Sequence, residues 1–230
     1  MINRKSPRGI RAVLFDLDGT LVDTAPDMVA VLADMQYAHG LDRLAFESAR
    51  PYVSNGAMGL LRLAFPGRNI SPGDDLHAEY LDRYARSICN HSALFPGLED
   101  LLAALDAHRC PWGVVTNKPQ NLTNPLMQAL RLSDRAACIV SGDTLPQRKP
   151  DPAPLLLAAK KVGVAPEASV YIGDAARDIE AGRAAGMATI AAAYGYIVPG
   201  DEIASWGADT VVADTGELTH ALLKAVNLPA

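Results

Sequence analysis

Near the start of the chain, residues 12–20 read Ala12-Val13-Leu14-Phe15-Asp16-Leu17-Asp18-Gly19-Thr20. The first four residues are apolar, as in a strand that is covered on both faces of a sheet. Two carboxylates follow directly, Asp16 and Asp18, and Gly19 permits a sharp turn after them. The run therefore predicts a buried strand that ends in a rigidly held acidic pair.

Further apolar or β-branched runs indicate more strands of the same kind. From Pro111 onward these runs alternate with segments of helical length, which is typical of right-handed βαβ units and a parallel sheet. We expect an α/β fold with a Rossmann-like core, in which helices flank a parallel sheet. The runs lie at residues 112–115, 137–140, 170–172, 189–192 and 210–212.

The segment between the first two predicted strands is far longer than one crossover helix requires. Thr24 is a candidate N-cap, with Pro26 and Asp27 in the first turn of the helix that would follow. Apolar residues at helical spacing predict further helices near residues 60–64 and 76–88. We therefore expect a helical cap over residues 24–94, inserted into a core formed by residues 1–23 and 95–230.

The composition excludes several classes of protein. The 230 residues carry a net charge of -5, with 49% hydrophobic and 20% charged residues, as in a soluble globular protein. No general electrostatic footprint for nucleic acid is present. The three cysteines form no CxxC pair that would suggest zinc.

No targeting or membrane segment is expected. Arg4, Lys5 and Arg8 resemble the basic start of a signal peptide, but the apolar stretch that follows meets Asp16 after four residues. No stretch approaches the length of a membrane span. The cytoplasm is the expected location.

Four polar clusters follow four of the predicted strands. Because the carboxyl ends of parallel strands meet in one crevice, these clusters should converge. Such convergence is a stronger signal than any single motif, since a lone cluster is as readily a surface turn. The clusters are residues 16–20, Thr116-Asn117-Lys118, residues 149–152, and Gly173-Asp174 with Asp178.

The acidic pair suggests phosphoryl chemistry. A carboxylate such as Asp16 can attack phosphorus and form an aspartyl-phosphate, which splits hydrolysis into two easier steps. Asp18 lies two residues on and can protonate the leaving alcohol, then deprotonate the attacking water. The alternative is that the pair belongs to a turn without a catalytic role.

The other clusters offer groups that bind a phosphate. Lys149 is a compact positive charge suited to phosphate, and Thr116 offers a hydroxyl and backbone donors. Asn117 is a further candidate for the phosphate site. Thr116 and Asn117 are alternatively ordinary turn residues, and Asp151 is most simply a helix cap before Pro152.

A Mg²⁺ site is expected in the same crevice. Asp174, together with Asp16 and a backbone carbonyl, supplies the hard oxygen ligands that Mg²⁺ prefers. The carbonyl is assigned to Asp18. Asp178 lies one helical turn after Asp174 and would orient water or Asp174, or only complement a helix N-terminus.

In this order, the motifs resemble those of the haloacid dehalogenase superfamily, and the resemblance covers nearly the whole chain. It implies a Rossmann-like core, Mg²⁺, Asp16 as nucleophile, Asp18 as acid and base, and a phosphate held by Thr116 and Lys149. The long insertion after the first strand is as in the subgroup with a helical cap. One departure is Ala175, because relatives often carry Ser or Thr after the metal-binding aspartate.

Other segments resemble a narrower group. Residues 21–24, 116–119 and 148–152 look like those of phosphoglycolate phosphatases. Tyr194-Gly195-Tyr196 and residues 206–209 are also similar to a branch that acts on N-acetylmuramic acid 6-phosphate. A small phosphorylated metabolite is therefore the expected partner.

The cap is expected to set the substrate by closing over the site. Asn55 and Gly56 look like a loop that enters a cap helix and faces the site, although the pair is equally a simple turn. Arg50 and Lys118 are candidates for binding a substrate carboxylate. The apolar and tyrosine stripe of residues 76–88 is expected to form the core of the cap.

Other functions remain open at this stage. A phosphomutase would share Asp16 and Asp18 but retain the phosphoryl group. A phosphometabolite sensor without catalysis would bind but not turn over. A dehalogenase is disfavoured, because Asp18 and Asp174 would be unnecessary there.

Overall fold

The computed structural model describes residues 9–227 and contains two sheets. Arg4, Lys5 and Arg8 lie outside the described residues. The strands are β1 (Ala12–Phe15), β2 (Val22–Asp23), β3 (Ala93–Leu94), β4 (Trp112–Val115), β5 (Cys138–Val140), β6 (Ser169–Gly173), β7 (Ala188–Ala192) and β8 (Thr210–Val212).

Helices occupy the segments between the strands, together with 3-10 helices at Arg50–Asn55, Pro166–Ala168 and Ile203–Trp206. The α-helices are α1 (Ala25–Ala38), α2 (Phe46–Ala49), α3 (Gly56–Ala64), α4 (Asp75–Arg86), α5 (Leu98–Ala107), α6 (Gln120–Ala129), α7 (Ala153–Val162), α8 (Ala176–Ala184) and α9 (Thr215–Ala225). Among residues 9–227, none has the length and apolar character needed to cross a bilayer.

The main sheet is parallel throughout, with the strand order β5-β4-β1-β6-β7-β8. The order places β1 in the middle, between β4 and β6. All six strands expected in this sheet are present, and their ends shift by one residue at most. The expected α/β fold with a Rossmann-like core is therefore confirmed.

The two faces of the sheet bury separate apolar layers. Along β1, Val13 and Phe15 pack into the layer that contains residues of α5, α6 and α9. Leu14, which points the other way, packs with residues of α7 and α8. This alternation follows from the period of two in a strand, and it explains why a strand covered on both faces has no polar residue.

The helices of the long insertion pack on one another and extend the first apolar layer. The Tyr80 side chain of α4 is fully buried, and its hydroxyl donates to the carbonyl of Met28 in α1 at 2.9 Å. Tyr84 is buried beside it, with the two rings stacked at 6.3 Å between centroids. The stripe on α4 thus forms part of the core of this helical region, as the sequence predicts.

Two short strands, which the sequence did not predict, pair where the chain enters and leaves this helical region. The antiparallel pair β2 and β3 aligns Val22 with Leu94 and Asp23 with Ala93. Each strand has only two residues, too short for a periodic signal. The pairing supports the predicted division of the chain at residues 24 and 94, which stays a prediction.

Thr24 precedes α1 as predicted, but its side chain does not cap the helix. Its backbone is in the helical region, with φ at −96° and ψ at −5°, whereas a capping side chain needs an extended backbone. The Tyr196 hydroxyl accepts instead from the N–H groups of Thr24 and Ala25, at 2.7 and 2.9 Å. The Thr24 hydroxyl is thereby left to donate to Asp18.

Candidate active site

The predicted polar clusters converge at one edge of the main sheet. Asp16 follows β1, Thr116 follows β4, and Asp174 follows β6, three adjacent strands whose carboxyl ends lie side by side. Lys149 joins them from the loop between β5 and α7. The four clusters are brought together as parallel-sheet geometry requires.

Lys149 lies at the centre of this edge and is only 4% exposed. Its Nζ lies 2.8 Å from Asp16 Oδ1 and 2.8 Å from Asp178 Oδ1. It also donates to the Val115 carbonyl at 3.0 Å and to the Tyr171 hydroxyl at 2.8 Å. Burial lowers the pKa of Lys149, but the attraction of both carboxylates outweighs this and the pKa is raised.

Asp178 contacts Lys149 and the start of α8. Its Oδ1 faces Lys149, and its Oδ2 accepts the backbone N–H of Ala175 at 3.1 Å, where α8 begins. Asp178 therefore holds Lys149 and the start of α8, the latter being the expected alternative of a contact at a helix N-terminus, and it does not hydrogen bond with Asp174.

Asp16 and Asp174 are buried carboxyls with raised pKa values. Burial raises the pKa of Asp16 from 3.8 to about 6, against the lowering effect of Lys149. Burial, with the nearby charges of Asp16 and Asp178, raises the pKa of Asp174 from 3.8 to about 7. The pocket thus holds more negative charge than its own lysine neutralises, which favours an added cation.

The donor set fits a divalent metal ion. Single carboxylate oxygens of Asp16, Asp174 and Asp178 lie within 4.8 Å of one another. Asp174 Oδ1 is buried and has no hydrogen-bond partner within residues 9–227, and such an orphaned oxygen is what a cation would satisfy. Hard, buried carboxylate oxygens suit a metal of the Mg²⁺ type.

Two glycines allow the chain to approach Asp174 closely. Gly19 has φ at +81°, a left-handed conformation, and a Cβ there would collide with the Asp174 carboxyl. A Cβ at Gly195 would meet the Asp174 side chain and the carbonyl of Gly19. The tight fit of three loops around Asp174 therefore depends on both glycines.

Asp18 faces the cleft from beside Asp16 and is held by two donors. Thr24 Oγ1 donates to Asp18 Oδ1 at 2.6 Å, and Lys118 Nζ lies 2.9 Å from the same oxygen. The other carboxylate oxygen, Oδ2, receives no hydrogen bond from residues 9–227. Asp18 is thus oriented toward the cleft with one oxygen free, as an acid and base requires.

Lys118, expected to bind a substrate carboxylate, is largely occupied by protein. Its ammonium pairs with Asp18, donates to the Tyr84 hydroxyl at 2.9 Å and lies 4.5 Å from the centre of the Tyr84 ring. The lysine therefore orients Asp18, and its third N–H is left for a ligand. The sequence offered no sign of this partner because Tyr84 belongs to the distant α4.

Thr116 and Asn117 both line the cleft, but they differ in what they offer. The Thr116 hydroxyl accepts from the Lys118 N–H at 3.1 Å, which leaves its own proton for a phosphate oxygen. The Asn117 side chain hydrogen bonds with the backbone of Lys149: its amide donates to the Lys149 carbonyl at 2.9 Å, and its oxygen accepts the Lys149 N–H at 3.0 Å. Asn117 therefore positions Lys149.

Two of the three cap candidates reach the cleft and one does not. Asn55 and Gly56 line it from the loop before α3. The guanidinium of Arg50 instead lies over the Tyr196 ring at 4.9 Å and donates to the Gly195 carbonyl at 3.3 Å. The expected contact of Arg50 with a substrate carboxylate therefore has no support here, because its guanidinium is engaged by Tyr196 and Gly195.

Three contributing residues were missed by the sequence analysis. Ser54 donates from its hydroxyl to Asp174 Oδ2 at 2.6 Å, and Arg177 donates to the Ser54 carbonyl at 2.7 Å. The Tyr196 N–H donates to the same Asp174 oxygen at 2.9 Å. The sequence position of Arg177 could have indicated its place in the site, since it adjoins Asp178 in the first turn of α8, directly after a strand that ends at the site.

The cleft above Asp16 has a volume of about 510 Å³ and opens between the helical region and the sheet. Its cationic side chains include Lys118, Arg148 and Arg177, which suits an anionic ligand. Apolar side chains line the part nearer the helices, among them Met28, Met58 and Leu81.

Comparisons with known proteins agree with this geometry. Residues 13–192 match the model of the haloacid dehalogenase-like hydrolase family. An N-acetylmuramic acid 6-phosphate phosphatase from Pseudomonas aeruginosa is 44% identical over 218 residues, covering 94% of this chain and 96% of the relative. A phosphoglycolate phosphatase from Xanthomonas campestris is 44% identical over 208 residues, covering 90% and 94%.

Solved structures show the same likeness. A crystal structure of a predicted phosphoglycolate phosphatase from Haemophilus somnus superposes with a TM-score of 0.80 at 27% identity, covering 93% of this chain and 98% of that one. The expected resemblance to phosphatases of this superfamily is therefore confirmed. The chain belongs to the haloacid dehalogenase-like hydrolase family, within which its similar relatives are named phosphatases.

Proposed function

We propose that this protein hydrolyses a small anionic phosphomonoester through an aspartyl-phosphate on Asp16. The observation that carries the proposal is the geometry around Asp16. This carboxylate lies at the base of a cationic cleft, 2.8 Å from Lys149, with Asp18 held beside it by Lys118 and Thr24. Phosphoryl transfer needs this positioning and neutralisation of charge more than any other contribution.

In the first step, an oxygen of the Asp16 carboxylate attacks phosphorus and the bond between phosphorus and the ester oxygen breaks. The departing alkoxide takes the proton of Asp18. In the second step, Asp18 takes a proton from water as the water oxygen attacks phosphorus, and inorganic phosphate leaves with Asp16 restored. The Thr116 hydroxyl donates to a phosphoryl oxygen in both steps, and Lys149 supplies positive charge beside it, since its three N–H groups already face four oxygens of the protein.

We propose Mg²⁺ as the metal, held by Asp16, Asp174 and the backbone carbonyl of Asp18. Bound there, it would supply the positive charge that lets a carboxylate approach a phosphate dianion. The free Asp174 Oδ1 supports this assignment. We also retain the cytoplasm, predicted from the sequence, as the location.

Phosphoglycolate is our leading substrate, because relatives with that name share 44% identity with the chain and the cleft offers cations for a second anionic group. The third N–H of Lys118, together with the loop at Asn55 and Gly56, is positioned to contact the group that leaves. Arg148 and Arg177 add positive charge at the walls of the cleft.

N-acetylmuramic acid 6-phosphate is the second candidate, and a specific observation favours it. The cleft volume of about 510 Å³ lies within the range of sites that hold drug-sized ligands, and its apolar wall has no evident use for a two-carbon acid. A relative with that activity is equally 44% identical. Overall similarity therefore does not discriminate between the two substrates.

The test is kcat/KM for both substrates with Mg²⁺, each with a chelator control and with Asp16→Asn as the inactive control. We expect at least about a tenfold preference for phosphoglycolate, or about 1.4 kcal/mol. The reverse preference would assign the sugar phosphate instead. Isomerisation of the substrate that requires an added bisphosphate and releases no phosphate would indicate a phosphomutase, and binding without any turnover would indicate a sensor.

A further inference from the structure

A serine of the cap is hydrogen bonded to a predicted metal ligand of the core. Ser54 stands in the 3-10 helix Arg50–Asn55, and its Oγ donates to Asp174 Oδ2 at 2.6 Å across a sequence separation of 120 residues. The bond is short, as expected when a hydroxyl donates to a carboxylate. It joins the helical region directly to the metal site.

The bond determines which oxygen of Asp174 is free. Oδ2 accepts both the Ser54 hydroxyl and the Tyr196 N–H, whereas Oδ1 has no hydrogen-bond partner in the described part of the chain. Two donors on one oxygen fix the rotation of the carboxyl group. The other oxygen is thereby left free to bind a cation, in a cluster where single carboxylate oxygens of Asp16, Asp174 and Asp178 lie within 4.8 Å of one another.

Ser54 is itself held in place by the core. Arg177 of α8 donates to the Ser54 carbonyl at 2.7 Å, and the preceding Val53 is buried. A second observation concerns Ala175, which cannot offer a hydroxyl next to Asp174. The hydroxyl at this carboxylate therefore comes from the helical region, and the contact exists only while that region is seated on the sheet.

We propose that Ser54 is a positioning residue for the metal ligand Asp174, so that seating of the cap and binding of the divalent cation reinforce each other. The inference rests on the metal site of the proposed function. A cation that prefers the ordered Asp174 favours the seated cap, and by reciprocity the seated cap raises the affinity for the cation. Groups that orient metal ligands commonly contribute a factor of about 10 to 100 in affinity.

The experiment measures Mg²⁺ binding by calorimetry on metal-free protein without substrate. We expect Ser54→Ala to raise the Kd about tenfold. Ser54→Thr, which keeps the hydroxyl, should remain near the wild-type value. Ser48→Ala is the matched control, because Ser48 is exposed on the same helical region and its side chain has no hydrogen bond within the described part of the chain.

The outcomes separate this inference from the proposed function. Equal Kd values in the wild type and Ser54→Ala would overturn it, as would a Ser54→Thr variant as weak as Ser54→Ala or an equal loss in Ser48→Ala. Absence of Mg²⁺ binding to the wild type would overturn both the metal site and this inference. If the Kd values for Mg²⁺ differ among the variants as expected but the wild type releases no phosphate from either substrate, the proposed function is rejected and the role of Ser54 is supported.

Discussion

Replacing the buried Lys149 should lower the free energy of unfolding strongly. In Lys149→Met, a side chain of similar length would replace an ammonium that lies 2.8 Å from both Asp16 and Asp178. Two buried carboxylates would then lose the ammonium that contacts both of them, with the Arg177 guanidinium left nearby. Breaking a buried pair in this way costs about 3–5 kcal/mol in the free energy of unfolding, or roughly 10 °C in Tm for a chain of this size.

The loss in the free energy of unfolding of Lys149→Met should grow as the pH rises. Asp16 has a pKa raised to about 6, and the attraction of Lys149 is one of the influences that lowers it. Without Lys149 this pKa rises further, so the folded variant holds a proton that the unfolded chain, with its carboxyl near 3.8, releases. The free energy of unfolding of the variant therefore falls as the pH rises from the pKa of the unfolded carboxyl, 3.8, to the raised pKa of Asp16 in the folded variant. In the wild type the fall ends near pH 6, so the difference in the free energy of unfolding between the two proteins should be larger at pH 8 than at pH 5.

Urea unfolding in the presence of a chelator, at pH 8 and at pH 5, measures both effects. Lys160→Met is the matched control, because Lys160 is exposed on α7 and forms no ion pair with any of residues 9–227. That control should change the free energy of unfolding by less than about 0.5 kcal/mol. A loss below about 1 kcal/mol for Lys149→Met at pH 8, or a loss no smaller at pH 5, would refute the reasoning.

Three further predictions follow from the same contacts. Lys118→Met should lower kcat by about 10- to 100-fold, because Asp18 loses the ammonium that orients it, and should also lower the Tm, because the Lys118–Asp18 pair is largely buried; a stopped assay of phosphate release, run at a temperature where the variant is folded, decides. Tyr196→Phe should cost about 1–3 kcal/mol in urea unfolding, since its buried hydroxyl satisfies the first turn of α1. Mg²⁺ should raise the Tm of chelator-treated protein more at pH 8 than at pH 5, because Asp16 and Asp174, with pKa values of about 6 and 7, must release protons to bind it; an equal shift at both pH values would count against these ligands.

The sequence was sufficient for those features that parallel-sheet geometry dictates. Asp16, Thr116 and Asp174 each follow an apolar run, and strand ends in a parallel sheet meet at one edge whatever the loops do. Their convergence could therefore be predicted without knowledge of any contact. The parallel direction of the strands could be predicted in the same way, because each helical segment returns the chain to the edge of the sheet where the next strand begins.

Other features depend on how the helical region docks, which no local pattern encodes. Lys118 was expected to face a substrate, but it meets Asp18 and the Tyr84 hydroxyl, and Tyr84 reaches it only through the packing of α4. Arg50 looked equally suited to a ligand and turns to the ring of Tyr196 instead. For long side chains, the partner is chosen by rotamers and neighbours brought in by tertiary packing.

Short-range patterns also misled at one position. Thr24 has the residue type and the place of a helix cap, yet its hydroxyl donates to Asp18, because its backbone is helical rather than extended and Pro26 has no N–H to cap, while the Tyr196 hydroxyl accepts the N–H groups of Thr24 and Ala25. Here a tertiary contact displaced a local one. The sequence carried both residues, but only the fold brings them together.

The central claim is that Asp16 becomes phosphorylated during turnover, and acid quenching followed by peptide mass spectrometry tests it directly. The wild-type protein would be mixed with Mg²⁺ and the substrate it turns over, quenched during the steady state and digested. The account predicts a phosphoryl group on the peptide that contains Asp16. A phosphoryl group on any other side chain, or steady turnover by Asp16→Asn at the wild-type rate, would contradict it.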